Sequence, residues 1–188
     1  MDPIDVVVAD IAKSTLTGCA RSIVVELAER AGGARKLAEQ VAAEDAVKEC
    51  LSVLLQVRSS ADFGAVSAKA LRKFGLALGE FAGRGDVQGH LMRPYTEEAR
   101  DPASVVAELD RLWRVNQEDL RLPQLPAGYW ARAFEEYCAA VDKAITFHPL
   151  LERVRGGNAP GRLAVLPEAL QLLEQRIAAD ANPPRPSK

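Results

Sequence analysis

Aromatic, histidine and cysteine residues are all scarce in this chain of 188 residues: aromatics make up 5%, with two histidines and three cysteines. The cysteines, Cys19, Cys50 and Cys138, are odd in number, far apart and without a nearby Cys or His partner. That spacing excludes a disulfide framework and a structural zinc site, and it fits a reducing, cytoplasmic compartment. His90 and His148 fall in no metal-binding pattern. Charge of one sign is missing too, because 24 Lys and Arg face 26 Asp and Glu, spread evenly enough that no segment is a nucleic-acid glove. Long apolar runs are also absent. The stretch Ile4–Val8 is broken by Asp5, Asp10 follows, and no basic region precedes it, which excludes a signal peptide and a membrane span.

What the chain does have is 48% apolar and 27% charged residues, the balance of an ordinary globular protein, at a length that supports one hydrophobic core. Apolar residues recur at helical spacing and no alternation of period two competes, so the expected fold is all-α, a bundle of about six to eight helices without a sheet. Ile4, Val7, Val8, Ile11, Cys19, Ile23 and Leu27 mark a first helix. Asp2-Pro3 starts it, Gly32-Gly33 stops it, and the backbone weakens near Ser14-Thr15 and Thr17-Gly18. Leu37, Val41, Val47, Leu51 and Leu54 mark an antiparallel second helix ending near Arg58-Ser59-Ser60. A third, capped by Ser60 or Asp62, carries Phe63, Val66, Ala70, Phe74, Leu78 and Phe81 and stops at Gly83-Arg84-Gly85.

Beyond Gly85, Asp86 is expected to cap a short helix that Pro94 ends, and Asp101-Pro102 starts another with Val105, Leu109, Leu112 and Trp113. The two prolines of Leu122-Pro123-Gln124-Leu125-Pro126 make a rigid, ordered connector. The cleanest stripe comes next: Trp130, Ala133, Phe134, Tyr137, Val141, Ala144 and Ile145. Residues 1–155 are thus read as the bundle and 156–181 as a loop plus a last helix with Leu166, Leu170, Leu173 and Ile177. The proline-rich stretch 182–188 is read as a linker or tail, with the chain continuing into something longer.

None of the chemical signals outweighs its bland counterpart. Arg30-Ala31-Gly32-Gly33-Ala34-Arg35-Lys36 has glycines ahead of a helix, but it lacks the Walker spacing and comes after a helix, so it reads as an interhelical turn, as does Gly83-Arg84-Gly85. The three cysteines fall on or beside apolar stripes and read as buried. Glu97-Glu98 and Glu135-Glu136 point about 100° apart on a helix and make no acid/base dyad. Trp113, Trp130, Phe134 and Tyr137 read as core, while Tyr129, beside Gly128, reads as a surface contact. No catalytic, cofactor, metal or nucleic-acid residue is therefore named.

The stretch from Asp86 to Val154 carries a distinctive order: Leu91, Pro94 and Tyr95, then Leu112-Trp113, the Leu122–Pro126 connector, Tyr129-Trp130, Phe134, Tyr137 and His148-Pro149-Leu150-Leu151. In this it resembles the N-terminal helical domains of bacterial NACHT-type NTPases, the prokaryotic relatives of NLR immune receptors. The resemblance implies a non-catalytic accessory domain in front of a signalling ATPase, used for recruitment, autoinhibition or self-association in antiphage defence, with its own NTPase region, a second copy or an effector protein as partner. The NTPase's Walker motif is not in these residues, so no nucleotide activity is implied. Two other classes remain open: a membrane-acting bundle whose first helix inserts, which the acidic start of the chain disfavours, and a small α-helical enzyme with a pocket that spacing does not reveal.

Overall fold

Pro3 opens the first helix, where a fixed φ and a missing N–H cost little. The computed structural model describes residues 3–32, 37–64, 66–96 and 101–157, and all regular structure among them is helical. The helices are α1 (Pro3–Ile11), α2 (Thr17–Arg30), α3 (Leu37–Ser59), α4 (Ala68–Ala82), α5 (Gly85–Thr96), α6 (Pro102–Val115), α7 (Tyr129–Phe147) and α8 (Pro149–Gly157). No strand occurs among the described residues, as the missing period-two pattern requires. The Asp2 cap, the Gly33–Lys36 half of the first loop, Glu97-Glu98 and everything after Gly157 lie outside the described residues.

Helices α1 and α2 are joined without a break by a π-helical turn, Ala12–Leu16. Its cause is local. Ser14 and Thr15 both donate their hydroxyls to the Ile11 carbonyl, at 3.1 and 2.8 Å, and Thr17 donates to that of Lys13 at 2.7 Å. Such back-bonding competes with the i→i−4 ladder and loosens it at the Ser/Thr-rich stretch where propensity is weakest. Helix α4 lies directly against this turn: a Cβ on Gly79 would stand 2.7 Å from the Thr15 carbonyl oxygen, and one on Gly75 would stand 2.1 Å from Ile11 Cγ2.

The long α3 is the central element, packed against α1, α2, α4, α7 and α8. Its C-terminal half meets the start of α7, where the Tyr129 hydroxyl donates to the Leu54 carbonyl at 2.9 Å. Arg153 of α8 forms a bidentate pair with Glu39 near the other end of α3. On α7 the predicted stripe is the buried one: Trp130, Ala133, Phe134, Tyr137, Val141 and Ile145 all face the core. Burial of each large side chain stabilises the fold by about 1.5–3 kcal/mol.

Several expectations change. The cap of α4 is Ser67, whose Oγ accepts from the Ala70 N–H at 3.2 Å. Phe63 instead lies in a single 3₁₀ turn, Ala61–Phe63, and Val66 precedes the helix, because Gly64, at φ 82°, turns the chain before the helix starts. Asp86 lies inside α5, which starts at Gly85, and Pro94 does not end that helix. So near the helix C-terminus a proline removes only the bond to the His90 carbonyl, and the Pro94 carbonyl itself accepts from Arg155. Tyr129 is buried, 1% exposed, not a surface contact. Cys138 is half-buried, unlike Cys19 and Cys50.

Candidate functional site: a groove between α6 and α7

Helices α6 and α7 are adjacent in sequence, yet residues 116–128 separate them, and this connector sets how far apart they stand. Asn116, buried, donates its side-chain N–H to the Leu112 carbonyl at 2.8 Å, while the Leu122 N–H closes back on the Gln117 carbonyl at 2.9 Å. The Trp113 indole then donates to the Pro123 carbonyl at 3.0 Å, and Gly128, at φ 77°, turns the chain into α7. Leu122 is buried and Leu125 half-buried, so the connector is anchored at both prolines as its sequence predicts.

Between the two helices this leaves an open groove of about 1130 Å³. Its apolar floor is Trp113, Trp130 and Phe134, with Val106 and Leu125 on the walls. Phe74 and Phe81 of α4 back the floor: Phe81 stands 4.8 Å from Trp113 and 5.7 Å from Trp130 between ring centroids, and the two indoles are 5.8 Å apart. Phe81–Trp113 and Trp113–Trp130 meet edge to face and the other pairs are tilted, contacts that stiffen the base of the groove. The width comes from small side chains, since Ala103 and Ala107 on α6 and Ala127 and Ala131 at the start of α7 line it and are exposed. The Trp130 Nε1–H is buried and has no acceptor among the described residues, a group that burial ordinarily leaves paired.

The rim is polar. Asp110 holds Arg114 at 2.6 Å, one turn apart on α6, and Glu135 faces Arg132 at 3.5 Å on α7. No side chain lining the groove combines a nucleophile with a neighbouring base. Cys138, at its far end, is the sole sulfur there. The groove therefore offers shape and apolar surface, with charges confined to its edges, a lining suited to recognition.

A second polar group lies deep in the bundle among α2, α3, α5 and α7. Cys19 donates to the Ala82 carbonyl at 3.3 Å, Ser22 to Gln88 at 3.3 Å and Tyr137 to the Leu91 carbonyl at 2.9 Å. Burial pushes the thiols of Cys19 and Cys50 up to about 11 and holds the phenols of Tyr95 and Tyr137 well above their ordinary range. Thiols so protonated are poor nucleophiles. They fasten helices.

The remaining candidates scatter. His90 is half-buried beside α6 and His148 sits at the α7–α8 junction. Among the described residues no three His, Cys, Asp or Glu side chains lie together as a metal site, and no helix is long and apolar enough to cross a membrane. At the Gly83–Gly85 junction, Arg84 is paired with Asp86 at 3.2 Å. Sequence reasoning missed the groove. The available signal was the pair of alanines one turn apart on α6, Ala103 and Ala107, with Ala127 and Ala131 on either side of the start of α7, after a connector that holds two prolines. Comparison with protein-family models, curated proteins and solved structures finds no match to this chain.

Proposed function

We propose that this chain is a non-catalytic helical interaction module that receives an amphipathic helix in the groove between α6 and α7. The observation that carries the reading is the open, aromatic-floored groove of about 1130 Å³, lined by small residues and rimmed by charge. A helix with its side chains is about 10–12 Å across and presents apolar anchors at i, i+3, i+4 and i+7, which a long groove with a stiff apolar floor accommodates.

The order of residues from Asp86 to Val154 supports a narrower version: an accessory domain of an NLR-like NACHT NTPase in bacterial antiphage defence, cytoplasmic, acting by recruitment, autoinhibition or self-association. The residues carrying that resemblance, among them Leu91, Tyr95, Trp113, Phe134 and Tyr137, are core residues, so they speak for a fold and leave the groove as the place where contact is made. A Walker motif further along the parent reading frame is the observation that tests this version. Val8 and Ile11, each 3% exposed, weigh against a first helix poised to enter a membrane.

Selection from a random peptide library against the full chain tests the groove. Binders are expected to repeat apolar residues at helical spacing, with micromolar Kd, and to lose at least tenfold on Ala131→Arg but nothing on Ala42→Arg, which is exposed on α3. Selected peptides indifferent to Ala131→Arg would remove the groove from the reading.

A further inference from the structure

The groove is not electrically neutral. Its lining holds two carboxylates, Asp110 on α6 and Glu135 on α7, against one guanidinium, Arg114. Their heights follow from the contact of Trp113 with Trp130, where the end of α6 meets the start of α7 and from which both helices run toward the far end of the groove at Ala103 and Cys138. Asp110 lies three residues before Trp113 and Glu135 five residues after Trp130. At about 1.5 Å per residue they stand about 4.5 and 7.5 Å from that contact, while Arg114 lies about 1.5 Å to its connector side. Each rim therefore carries a carboxylate within about 3 Å of the same level.

Neither carboxylate is held firmly by its present partner. Asp110 and Arg114 form an i,i+4 pair whose side chains are 38% and 73% exposed. The Arg132 guanidinium stands nearer to Glu136, at 2.8 Å, than to Glu135, at 3.5 Å. Exposed pairs of this kind bind their ions weakly and exchange them readily for a third charge. One turn from each carboxylate the wall is an alanine, Ala107 beside Asp110 and Ala131 beside Glu135, both exposed. A lysine or arginine flanking the apolar face of a seated helix lays its methylene stem on these walls and brings its charged head to the rim. The seated helix also displaces water from the rims, which strengthens the attraction, whereas a glutamate at the same positions meets like charge on both sides.

We infer that the groove between α6 and α7 selects a basic amphipathic helix, one with Lys or Arg on both sides of its apolar face to meet Asp110 and Glu135. This rests on the reading of the groove as a helix acceptor and adds to it the sign of the partner's charge.

The probes are two fluorescent synthetic helices about five turns long, identical in a leucine face at i, i+3, i+4 and i+7 and differing only in the flanking positions, all Lys in one and all Glu in the other. Anisotropy titration of the full chain is expected to give the lysine peptide at least a tenfold lower Kd at about 20 mM salt, with the ratio shrinking at about 200 mM as screening sets in. Asp110→Asn/Glu135→Gln is expected to bring the ratio within about threefold at an unchanged thermal midpoint. Asp45→Asn/Glu49→Gln, the same change of net charge on the exposed face of α3, is expected to preserve it. Equal affinities for the two peptides, or a preference that survives Asp110→Asn/Glu135→Gln, overturn the inference. Ala131→Trp, which fills the groove without altering its charge, separates this failure from that of the groove. If the peptides bind equally and Ala131→Trp weakens both, the groove reading stands and only the charge preference falls; if neither binds, or Ala131→Trp affects neither, both fall.

Discussion

Replacing one glycine by alanine is expected to raise the stability of this protein at one helical position and lower it at another, and the structure decides the sign. In a helix interior, alanine is favoured over glycine by about 0.5–1 kcal/mol. Gly18 in α2 is exposed and a Cβ there would meet nothing within 4 Å, so Gly18→Ala realises the whole gain. Gly79 in α4 has the same intrinsic gain, but its Cβ would stand 2.7 Å from the Thr15 carbonyl oxygen and 3.2 Å from Thr15 Cβ. The obstacle is backbone, so it cannot rotate away, and α4 must move off the π-helical turn. Overpacking of this kind costs about 1–3 kcal/mol, which offsets the gain and leaves a net loss of up to about 2.5 kcal/mol. For a domain of this size 1 kcal/mol moves the midpoint by about 2–4 °C. Thermal and urea unfolding of the two single variants would therefore move in opposite directions. A stabilised Gly79→Ala protein would refute the close approach of α4 to the π-helical turn.

Phe134→Ala, which truncates a side chain 1% exposed, is expected to cost about 3–5 kcal/mol in urea unfolding; a loss under half a kcal/mol would place it on the wrong face. Val8→Asp buries an unpaired charge against the core and is expected to unfold or aggregate the chain, as followed by circular dichroism. A stable, monomeric variant would mean that the first helix is a contact surface. Burial, assisted by Arg93, holds the His90 imidazole below its ordinary range, so the folded chain binds fewer protons than the unfolded one. The stability this contributes is present above the unfolded value of about 6.5 and is lost as pH falls below it. His90→Gln is expected to flatten the midpoint between about pH 5 and 7, and an unchanged slope would assign the acid sensitivity elsewhere.

Helices were legible wherever apolar period and punctuation agreed. The stripe from Leu37 to Leu54 gives α3 with its end at Ser59, and Asp101-Pro102 gives the cap and first turn of α6, with Asp101 accepting from the Ser104 N–H at 3.3 Å. The Ser/Thr cluster at 14–17 reads as a weak point and is where the π turn forms. Illegible features depended on partners distant in sequence. Tyr129 looks peripheral beside Gly128 until its hydroxyl meets Leu54, 75 positions earlier. The groove was hidden for the same reason, because periodicity says which residues face inward but not how far apart two helices stand.

The floor of that groove contains both tryptophans of the chain. Optically, the protein therefore has a single address. Absorbance, emission and near-ultraviolet dichroism above the tyrosine bands all arise from two indoles 5.8 Å apart and inclined at 65°, close enough to couple as excitons. A spectroscopist following them watches the α6–α7 half alone, while amide dichroism averages over every helix. Coincidence of the two unfolding curves would then certify that α1–α3, which hold no tryptophan, melt in one step with the half that does.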